Sequence, residues 1–189
     1  MKRVVITGAG TINSLGHTVP DTLESMREGR CGIGPLEFRD VDRLSIRIGG
    51  QVRDYEAETR FNRQQLALYD RFTQFTLIAA REAIEQSGLV FSGELAARAG
   101  IVLGNSGGGM TTLDDNYRSV YEDGKNRVHP FVVPKLMNNA AASHVAMEYN
   151  LKGPSFTVST ACASSNHAMA QAFQMVRLGM SRVMVTGGS

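Results

Sequence analysis

Residues 155–188 read SFTVSTACASSNHAMAQAFQMVRLGMSRVMVTGG, and their pattern indicates the fold class. Ser155–Ser159 at its start has the composition of a strand, and so has Arg182–Thr186 near its end. Between them lies a predicted helix that ends at Gly179 and has these apolar residues on one face: Ala168, Ala172, Met175 and Val176. A strand, a helix and a strand in this order are the unit of a parallel sheet, so we predict an α/β fold with a mostly parallel sheet.

Further elements are predicted upstream of this unit. Arg3–Thr7 and Gly100–Leu103 are short apolar runs stopped by glycines, and both are predicted to be buried strands. Capping residues and a proline in the first turn predict a helix over residues 18–29. An apolar stripe predicts a longer helix over about 66–87, and the polar segment 110–130 is predicted to be a surface excursion.

The composition is typical of a soluble globular domain. The chain has 189 residues, of which 42% are hydrophobic and 20% charged, with a formal net charge of +2. Such a balance argues against nucleic-acid and membrane-surface proteins, whose basic residues are in large excess. The apolar run Val4–Ile6 is too short for a signal peptide, and no stretch has the roughly 18 apolar residues of a membrane span. We therefore expect no nucleic-acid or membrane partner.

The two cysteines, Cys31 and Cys162, lie far apart in the sequence and have no CxxC spacing. This pattern indicates neither a disulfide framework nor a zinc site. Reduced thiols are typical of the cytoplasm, so we expect a cytoplasmic protein without a bound metal.

Charged residues are unevenly distributed along the chain. Residues 126–189 contain only six of them, five basic and one acidic, while the first 125 residues contain the other 32. So charge-poor a stretch is expected to be largely buried, in a core, in a subunit interface, or in both.

Cys162 is the candidate nucleophile, because it lies where the predicted strand turns into the predicted helix. The free N–H groups and the dipole of a helix N-terminus stabilise a thiolate, and the residue's own N–H can point at a developing oxyanion. A nucleophile at a strand–turn–helix junction is a recurrent arrangement. Free cysteines are also often buried structural residues, so on these residues alone both interpretations stay open.

The sequence names no base for this cysteine. His167 is five residues past Cys162 on the predicted helix, about 140° round its axis, and so faces away from the sulfur. His144 lies in an alanine-rich segment and is interpreted as structural.

The glycine loops give weaker signals. The opening VVITGAGTINSLG has Gly8 and Gly10 of a dinucleotide-binding loop, but Asn13 occupies the third glycine position. A nicotinamide-dependent oxidoreductase is therefore an alternative with little support. The loop 104–109 lacks the Lys-Ser/Thr of a phosphate-binding loop, and we predict that its backbone lines a cavity or makes a close approach.

Several segments together resemble one family, the elongating β-ketoacyl-[acyl-carrier-protein] synthases of the synthase II type, which have the thiolase-like fold. The segments run in family order across essentially the whole chain: RVVITGAGTINSLG at the start, Asp70 to Gly88, the glycine loop 104–109, HPFVVP at 129–134, LKGPSFTVSTACASSNHA at 151–168, and VMVTGGS at the end. The stretch around Cys162 is highly specific, whereas the glycine loops alone would be weak.

The resemblance implies a reaction and a partner. Cys162 would accept an acyl chain as a thioester from acyl carrier protein, and malonyl-carrier protein would lose CO₂ and attack that thioester. No cofactor is implied. In the family, two histidines and a lysine of the C-terminal half assist the second step. We therefore expect residues 1–189 to be the N-terminal half of a duplicated α/β/α core, truncated, with the isolated chain inactive in condensation.

The resemblance also implies three further sets of site residues. Gly107 and Gly108 are candidates for the acyl-pocket loop, although Gly107 stands where the family often has a bulky apolar residue. Arg63 is the candidate contact for the acidic carrier protein, because it is kept at a place where many family members have several basic residues; this chain departs from that pattern with Gln64, Ala67 and Leu68. A homodimer would form through one strand, made of Ser155, Phe156, Thr157, Val158 and Ser159. A non-catalytic partner of such a synthase is a further alternative, but it would normally lack the cysteine.

Overall fold

The computed structural model describes residues 3–189. Its elements, in chain order, are α1 (Val19–Arg27), β1 (Ile33–Pro35), β2 (Ile48–Gly50), α2 (Arg63–Leu68), α3 (Arg71–Ser87), α4 (Gly93–Ala97), β3 (Ala99–Gly104), α5 (Met110–Tyr121), α6 (Val132–Leu136), α7 (Ala140–Glu148), β4 (Ser155–Val158), α8 (Ser164–Arg177) and β5 (Val183–Gly188). Short 3-10 turns cover Val41–Arg43 and Ala57–Thr59.

A parallel sheet of three strands, in the order β4-β3-β5, forms the centre of the molecule. Ile101 of β3 pairs with Ser155 on one side and with Val185 on the other. All six residues of β3 are buried, as expected for a central strand covered on both faces. The predicted α/β class, the parallel sheet and the three predicted strands that compose it are confirmed, with boundaries that shift by one or two residues.

The two faces of this sheet are covered by different helices. On one face, Ile101 and Leu103 belong to a core cluster with residues of α3 and α7. Val102 lies outside that cluster, and it points to the opposite face, where α8 packs on β3 and buries Ala168 and Ala172. The result is the α/β/α layering of the expected fold.

The predicted helix over 66–87 is wrong as a single element, because it is divided into α2 and α3 at Tyr69 and Asp70. Asp70 is the N-cap of α3, and its Oδ1 accepts a hydrogen bond from Phe72 N at 3.4 Å. Its Oδ2 accepts bonds from Thr112 N at 2.7 Å and Thr112 Oγ1 at 2.6 Å. This buried carboxylate therefore also caps α5, and the double role fixes where α3 begins.

The predicted strand Arg3–Thr7 is also wrong, since this segment has no ladder partner among the described residues. The chain just after it crosses α3 instead. A Cβ added at Gly8 would lie 1.9 Å from Ala83 O, and one at Gly10 would lie 1.9 Å from Ala79 O. These two glycines permit a close backbone crossing, which explains the opening glycine motif without a nucleotide.

Two further differences concern the polar and the charge-poor segments. Residues 110–130, predicted to be a surface excursion, contain the twelve-residue helix α5. In residues 126–189, burial within the chain's own core is wrong for many large apolar side chains, which are exposed; they include Phe131, Val133, Met137, Met147, Met169, Phe173, Leu178 and Met180. Burial of these side chains in an interface stays a prediction.

Candidate active site

Three loops meet at the edge of the sheet where the parallel strands end. Residues 105–109 follow β3, residues 159–163 follow β4, and Ser189 follows β5. The N–H of Asn105 donates to Val158 O at 3.1 Å, and the N–H of Ser189 donates to Gly104 O at 3.1 Å, so backbone bonds join the three strand ends. Carboxyl ends of parallel strands are the usual place for a ligand or catalytic site in such sheets.

Cys162 lies in the loop after β4, one residue before Ala163, the N-cap of α8. The residue is exposed, and its thiol makes no hydrogen bond within residues 3–189. Ala161, immediately before it, has a φ of 51°, in the left-handed region that a residue with a Cβ rarely adopts. The turn thus presents a free thiol at the N-terminus of a fourteen-residue helix, as the strand–turn–helix pattern predicts.

Hydroxyl groups hold this turn. Ser164 Oγ accepts the N–H of Thr160 at 2.8 Å and donates to Ala161 O at 2.7 Å. Ser106, in the loop after β3, lies with its Oγ 2.8 Å from Ser164 Oγ. The turn that carries Cys162 is therefore tied both to its own helix and to the neighbouring loop.

A buried amide holds the glycine loop. Asn105 Nδ2 donates to Ser189 O at 2.7 Å, and Asn105 Oδ1 accepts the N–H of Gly108 at 2.6 Å. Ser189 Oγ in turn donates to Phe72 O on α3 at 2.9 Å. The Asn105 side chain therefore links the end of β3 to Ser189, which follows β5, and α3 holds Ser189 in turn.

Glycines allow α8 to approach the strand ends closely. A Cβ at Gly104 would lie 2.2 Å from backbone atoms of Ser164 and Ser165, and a Cβ at Gly188 would lie 2.5 Å from Ser165 Cβ. Side chains at these positions would push the helix N-terminus, and with it Cys162, away from the sheet.

The two acyl-pocket candidates occupy different surroundings. Gly108 is buried with a φ of 63°, and a Cβ there would lie 2.3 Å from Leu136 O. Gly107 is exposed, and a Cβ there would meet only Met110 Cγ within 4 Å, at 3.5 Å. Gly108 is thus required by the backbone, whereas Gly107 leaves open space on the edge of the sheet that carries Cys162.

Two clefts occur away from Cys162. The larger, of about 410 Å³, has these lining residues: Ala9, Val19, Pro20, Leu23, Arg27, Glu82 and Gln86. The smaller, of about 230 Å³, lies between α2, α5 and α6 and includes Lys135 and His129. Neither cleft includes the two glycines proposed for an acyl pocket, so a pocket at Gly107 stays a prediction.

No histidine of the described chain is hydrogen-bonded to Cys162. His167 is exposed on α8, while His144 is half-buried on α7 with its ring 4.5 Å from that of Tyr69. Burial lowers the pKa of His144 below its usual value. The other two contact backbone atoms elsewhere: His17 Nε2 lies 2.8 Å from Arg53 O, and His129 Nδ1 accepts the N–H of Phe131.

The partner-contact residues expected from the sequence are accessible. Arg63 is exposed at the first position of α2, which begins at a capping box formed by Asn62 and Gln65. The predicted dimer strand is β4, an edge strand whose outer side pairs with no strand in the described part of the chain. Ser155 and Ser159 are exposed, whereas Phe156, Thr157 and Val158 are partly buried.

Residues 3–189 contain no group of three or more His, Cys, Asp and Glu side chains placed to hold a metal ion. Within the same residues, no helix is long and apolar enough to cross a membrane.

Sequence reasoning missed Asn105, Ser106 and Ser164. Only Ser164 left a local signal, because a serine at the first position of a helix, four residues after Thr160, can bond back to the preceding turn. Ser106 and Asn105 act across the sheet edge on residues more than 50 positions away, which no local pattern reveals.

Comparison with known proteins gives a consistent result. The family model described as "Beta-ketoacyl synthase, N-terminal domain" matches residues 1–189. "Nodulation protein E" of Rhizobium sp. (strain N33) is 40% identical over 188 residues, which cover 100% of this chain and 46% of that protein. "3-oxoacyl-[acyl-carrier-protein] synthase 2" of Synechocystis is 35% identical over 188 residues, which cover 100% of this chain and 45% of that protein. The chain thus spans about half the length of the curated relatives it matches.

Solved structures give the same fold. The structure titled "The ishigamide ketosynthase/chain length factor" matches with a TM-score of 0.90 and 25% identity, covering 99% of this chain and 47% of that one. A type II PKS acyl-carrier protein in complex with its ketosynthase matches with a TM-score of 0.83 and 23% identity, covering 100% of this chain and 50% of that one. The second likeness concerns the fold alone.

Proposed function

Because the chain belongs to the beta-ketoacyl synthase family, whose N-terminal domain it matches along its whole length, we propose that it is the acyl-accepting half of a condensing enzyme. The observation that carries the proposal is the exposed thiol of Cys162 in a strained turn at the N-terminus of α8. The enzyme would be a 3-oxoacyl-[acyl-carrier-protein] synthase of fatty acid biosynthesis, as are relatives of that name.

In the first half-reaction, the Cys162 thiolate attacks the carbonyl carbon of an acyl thioester carried by acyl carrier protein. The bond from that carbon to the carrier's sulfur breaks, and the carrier leaves as a thiolate that takes up a proton. The oxyanion that develops faces the N–H of Cys162 and the first turn of α8, where free N–H groups stabilise negative charge. The product is an acyl group on Cys162.

In the second half-reaction, the malonyl thioester loses CO₂ and the resulting enolate attacks the acyl carbon. The bond from that carbon to Cys162 Sγ breaks, so the thiolate is regenerated and the chain is two carbons longer. An enolate needs hydrogen-bond donors within about 3 Å of its oxygen. His144 and His167 are not placed beside the thiol, so these donors come from outside residues 3–189 in our proposal.

We propose that a second half of the protein covers the exposed side of α8. Met169 and Phe173 on this helix are 44% and 47% exposed, and Leu178 and Met180 just after it are 69% and 63% exposed. Exposed apolar side chains in such number mark a surface that is covered in the assembled protein. The same half would supply the two histidines and the lysine of the family.

The carrier protein and the acyl chain are assigned to separate places. Arg63, exposed at the start of α2, would contact the acidic carrier protein. Gly107 would leave room in the acyl pocket where a larger side chain would shorten it, since nothing but Met110 lies near its missing Cβ. We further propose a cytoplasmic location, because both cysteines are unpaired and exposed.

We propose a homodimer in which β4 pairs with its copy across a two-fold axis. An edge strand with a free row of N–H and C=O groups readily pairs with another chain. Phe156→Glu places a charge on this strand and should dissociate the full-length dimer, as measured by sedimentation velocity. An unchanged sedimentation coefficient would argue against this interface.

Acylation of Cys162 is the direct test of the proposed function. Full-length protein is incubated with acyl-carrier-protein thioester, and the adduct is located by peptide mass spectrometry. We expect one acyl group on Cys162, none on Cys162→Ala and an unchanged yield on Cys31→Ala, the matched control at the other exposed cysteine. Acylation mainly at Cys31 would overturn the assignment; cerulenin labelling gives a second readout.

The isolated chain tests the proposal that the groups needed for condensation lie outside residues 1–189. Residues 1–189 alone should show no malonyl-dependent elongation, while the full-length protein elongates under the same conditions. Turnover comparable to that of the full-length protein would mean that the catalytic base lies within this chain after all.

A further inference from the structure

We propose that Ser106 is a positioning residue for Cys162, acting on the strained turn at Ala161 both directly and through the hydroxyl of Ser164. The proposal rests on the proposed function in so far as it takes Cys162 to be the nucleophile. Ser106 lies in the loop after β3, 56 positions before the cysteine, and it touches the cysteine's turn through hydrogen bonds only.

The hydroxyl groups of Ser106 and Ser164 both contact the carbonyl of Ala161. A serine hydroxyl has one proton and two lone pairs. Thr160 N–H donates to Ser164 Oγ at 2.8 Å, which occupies one lone pair, and Ser106 Oγ, 2.8 Å away, can donate to the other. The proton of Ser164 then goes to Ala161 O, 2.7 Å away. In the alternative arrangement, Ser106 Oγ donates to Ala161 O, 3.3 Å away, and Ser164 donates to Ser106. In both arrangements one hydroxyl proton goes to Ala161 O and the other joins the two serines.

These contacts matter because Ala161 has a backbone conformation that it would not adopt by itself. Its φ of 51° lies in the left-handed region, where the Cβ of an L-residue crowds the following carbonyl. Such a conformation persists only where surrounding bonds over-determine it. Ser164 and Ser106 hold the Ala161 carbonyl together through their hydroxyl groups, so the next residue, Cys162, stays at the helix N-terminus.

Without the Ser106 hydroxyl, Ala161 O loses one of its two hydroxyl contacts, and Ser164 Oγ loses its bond to the loop after β3. Its other hydrogen bonds would remain, since Thr160 N and Ala161 O are both within reach, so the fold should be kept. The turn at Ala161 would relax part of the time, and the thiol would leave the field of α8. We therefore expect a loss of Cys162 reactivity with little loss of stability.

The experiment compares the alkylation rates of the two cysteines in the full-length protein. Iodoacetamide modification is followed by peptide mass spectrometry, and Cys31, exposed in a distant loop, serves as the internal reference. Ser106→Ala should lower the Cys162 to Cys31 rate ratio about fivefold, the size expected from the loss of one hydrogen bond. Ser106→Thr keeps the hydroxyl at an exposed position and should restore the ratio to within about twofold of the parent.

Ser165→Ala is the matched control. Ser165 is next to Ser164 on α8, and its hydroxyl has no hydrogen bond within the described residues, so its loss should leave the ratio unchanged. An unchanged ratio in Ser106→Ala, a failure of Ser106→Thr to restore it, or an equal fall at both cysteines would each overturn the proposal. Alkylation uses no acyl donor, so if Cys162 is never acylated while the ratio still falls, the proposed function fails and the positioning role stands.

Discussion

The two faces of the central sheet bury their side chains in different ways. On the face of α3 and α7, which we name the closed face, large side chains such as Leu77, Ile101 and Val145 have no exposed surface. On the face of α8, the open face, the buried helix residues are the small Ala168 and Ala172, while Met169 and Phe173 point outward. The closed face is a fully buried core, whereas the helix of the open face exposes apolar side chains.

This difference explains how the candidate site is built. The small residues of α8, together with Gly104 and Gly188, let the helix lie directly against the strand ends, so its N-terminus is fixed by backbone contacts. The outward side chains of α8 point away from the sheet, toward the second half of the protein in our proposal. The exposed residues of this helix include the polar Gln171 and Gln174 as well as the apolar Met169 and Phe173.

The largest expected effect comes from making the same substitution on each face. Leu77→Ala removes a fully buried side chain from the closed face and should lower the free energy of unfolding of the 189-residue chain by about 2–5 kcal/mol. Leu178→Ala, at a position 69% exposed at the end of α8, should change it by less than about 0.5 kcal/mol. Urea unfolding of both variants is the measurement, and equal losses would show that the faces do not differ.

The second-largest expected effect distinguishes the contribution of helix capping to stability from that of side-chain packing on the closed face. Asp70→Ala removes a buried carboxylate that caps α3 and α5, leaves Thr112 N–H without its partner, and should cost about 2–3 kcal/mol. Asp115→Ala is the control on α5, because its exposed ion pair with Arg39 should contribute less than about 1 kcal/mol. Should the two variants unfold alike, the cap on α5 is not what fixes the start of α3.

The same carboxylate shows where sequence reasoning stops. The apolar stripe over 66–87 predicted a single helix, because periodicity does not record that Asp70 bonds to Thr112, 42 positions away. By contrast, Ser155–Val158, α8 and β5 were predictable, since each has its own composition, period and stop signal. Local patterns predict which helices and strands form, and they fail where a distant residue determines the boundary of an element.

The candidate site follows the same rule. Cys162 at a strand–turn–helix junction was predictable from its neighbours, whereas Ser106 and Asn105 were not, because their partners come from other loops at the sheet edge. Arg3–Thr7 is the reverse case, since its β-branched composition predicted a strand although no described strand pairs with it. A strand forms only where a second strand lies beside it to pair with, and composition does not show whether such a partner is present.

A third, smaller effect should appear on the open face. Replacing Met169 and Phe173 by lysine puts two charges on the outward side of α8, where the isolated chain exposes apolar surface. We expect weaker self-association of the 189-residue chain in sedimentation equilibrium, with a free energy of unfolding changed by less than about 1 kcal/mol. A single substitution at an exposed aromatic outside this face, Tyr121→Lys on α5, is the control and should leave association unchanged. If Tyr121→Lys weakens self-association as much as the double substitution does, the open face is not the surface through which the chain associates.

The smallest expected effect is a pH dependence confined to the closed face. His144 packs edge-on against Tyr69 at 4.5 Å, and burial lowers its pKa in the folded chain below the value of about 6.5 that it has when unfolded. As the pH falls below about 6.5, the unfolded chain therefore takes up this proton more readily than the folded chain, and the free energy of unfolding decreases. The decrease ends once the pH is below the lowered pKa, because the histidine is then protonated in both states.

His144→Asn should remove this contribution to the pH dependence of urea unfolding, whereas His167→Asn, at an exposed position on α8, should leave the parent's pH dependence in place. Because His144 is only half-buried, solvent screens the effect and it should be small; a His144→Asn variant with the parent's full pH dependence would show that His144 does not contribute to it.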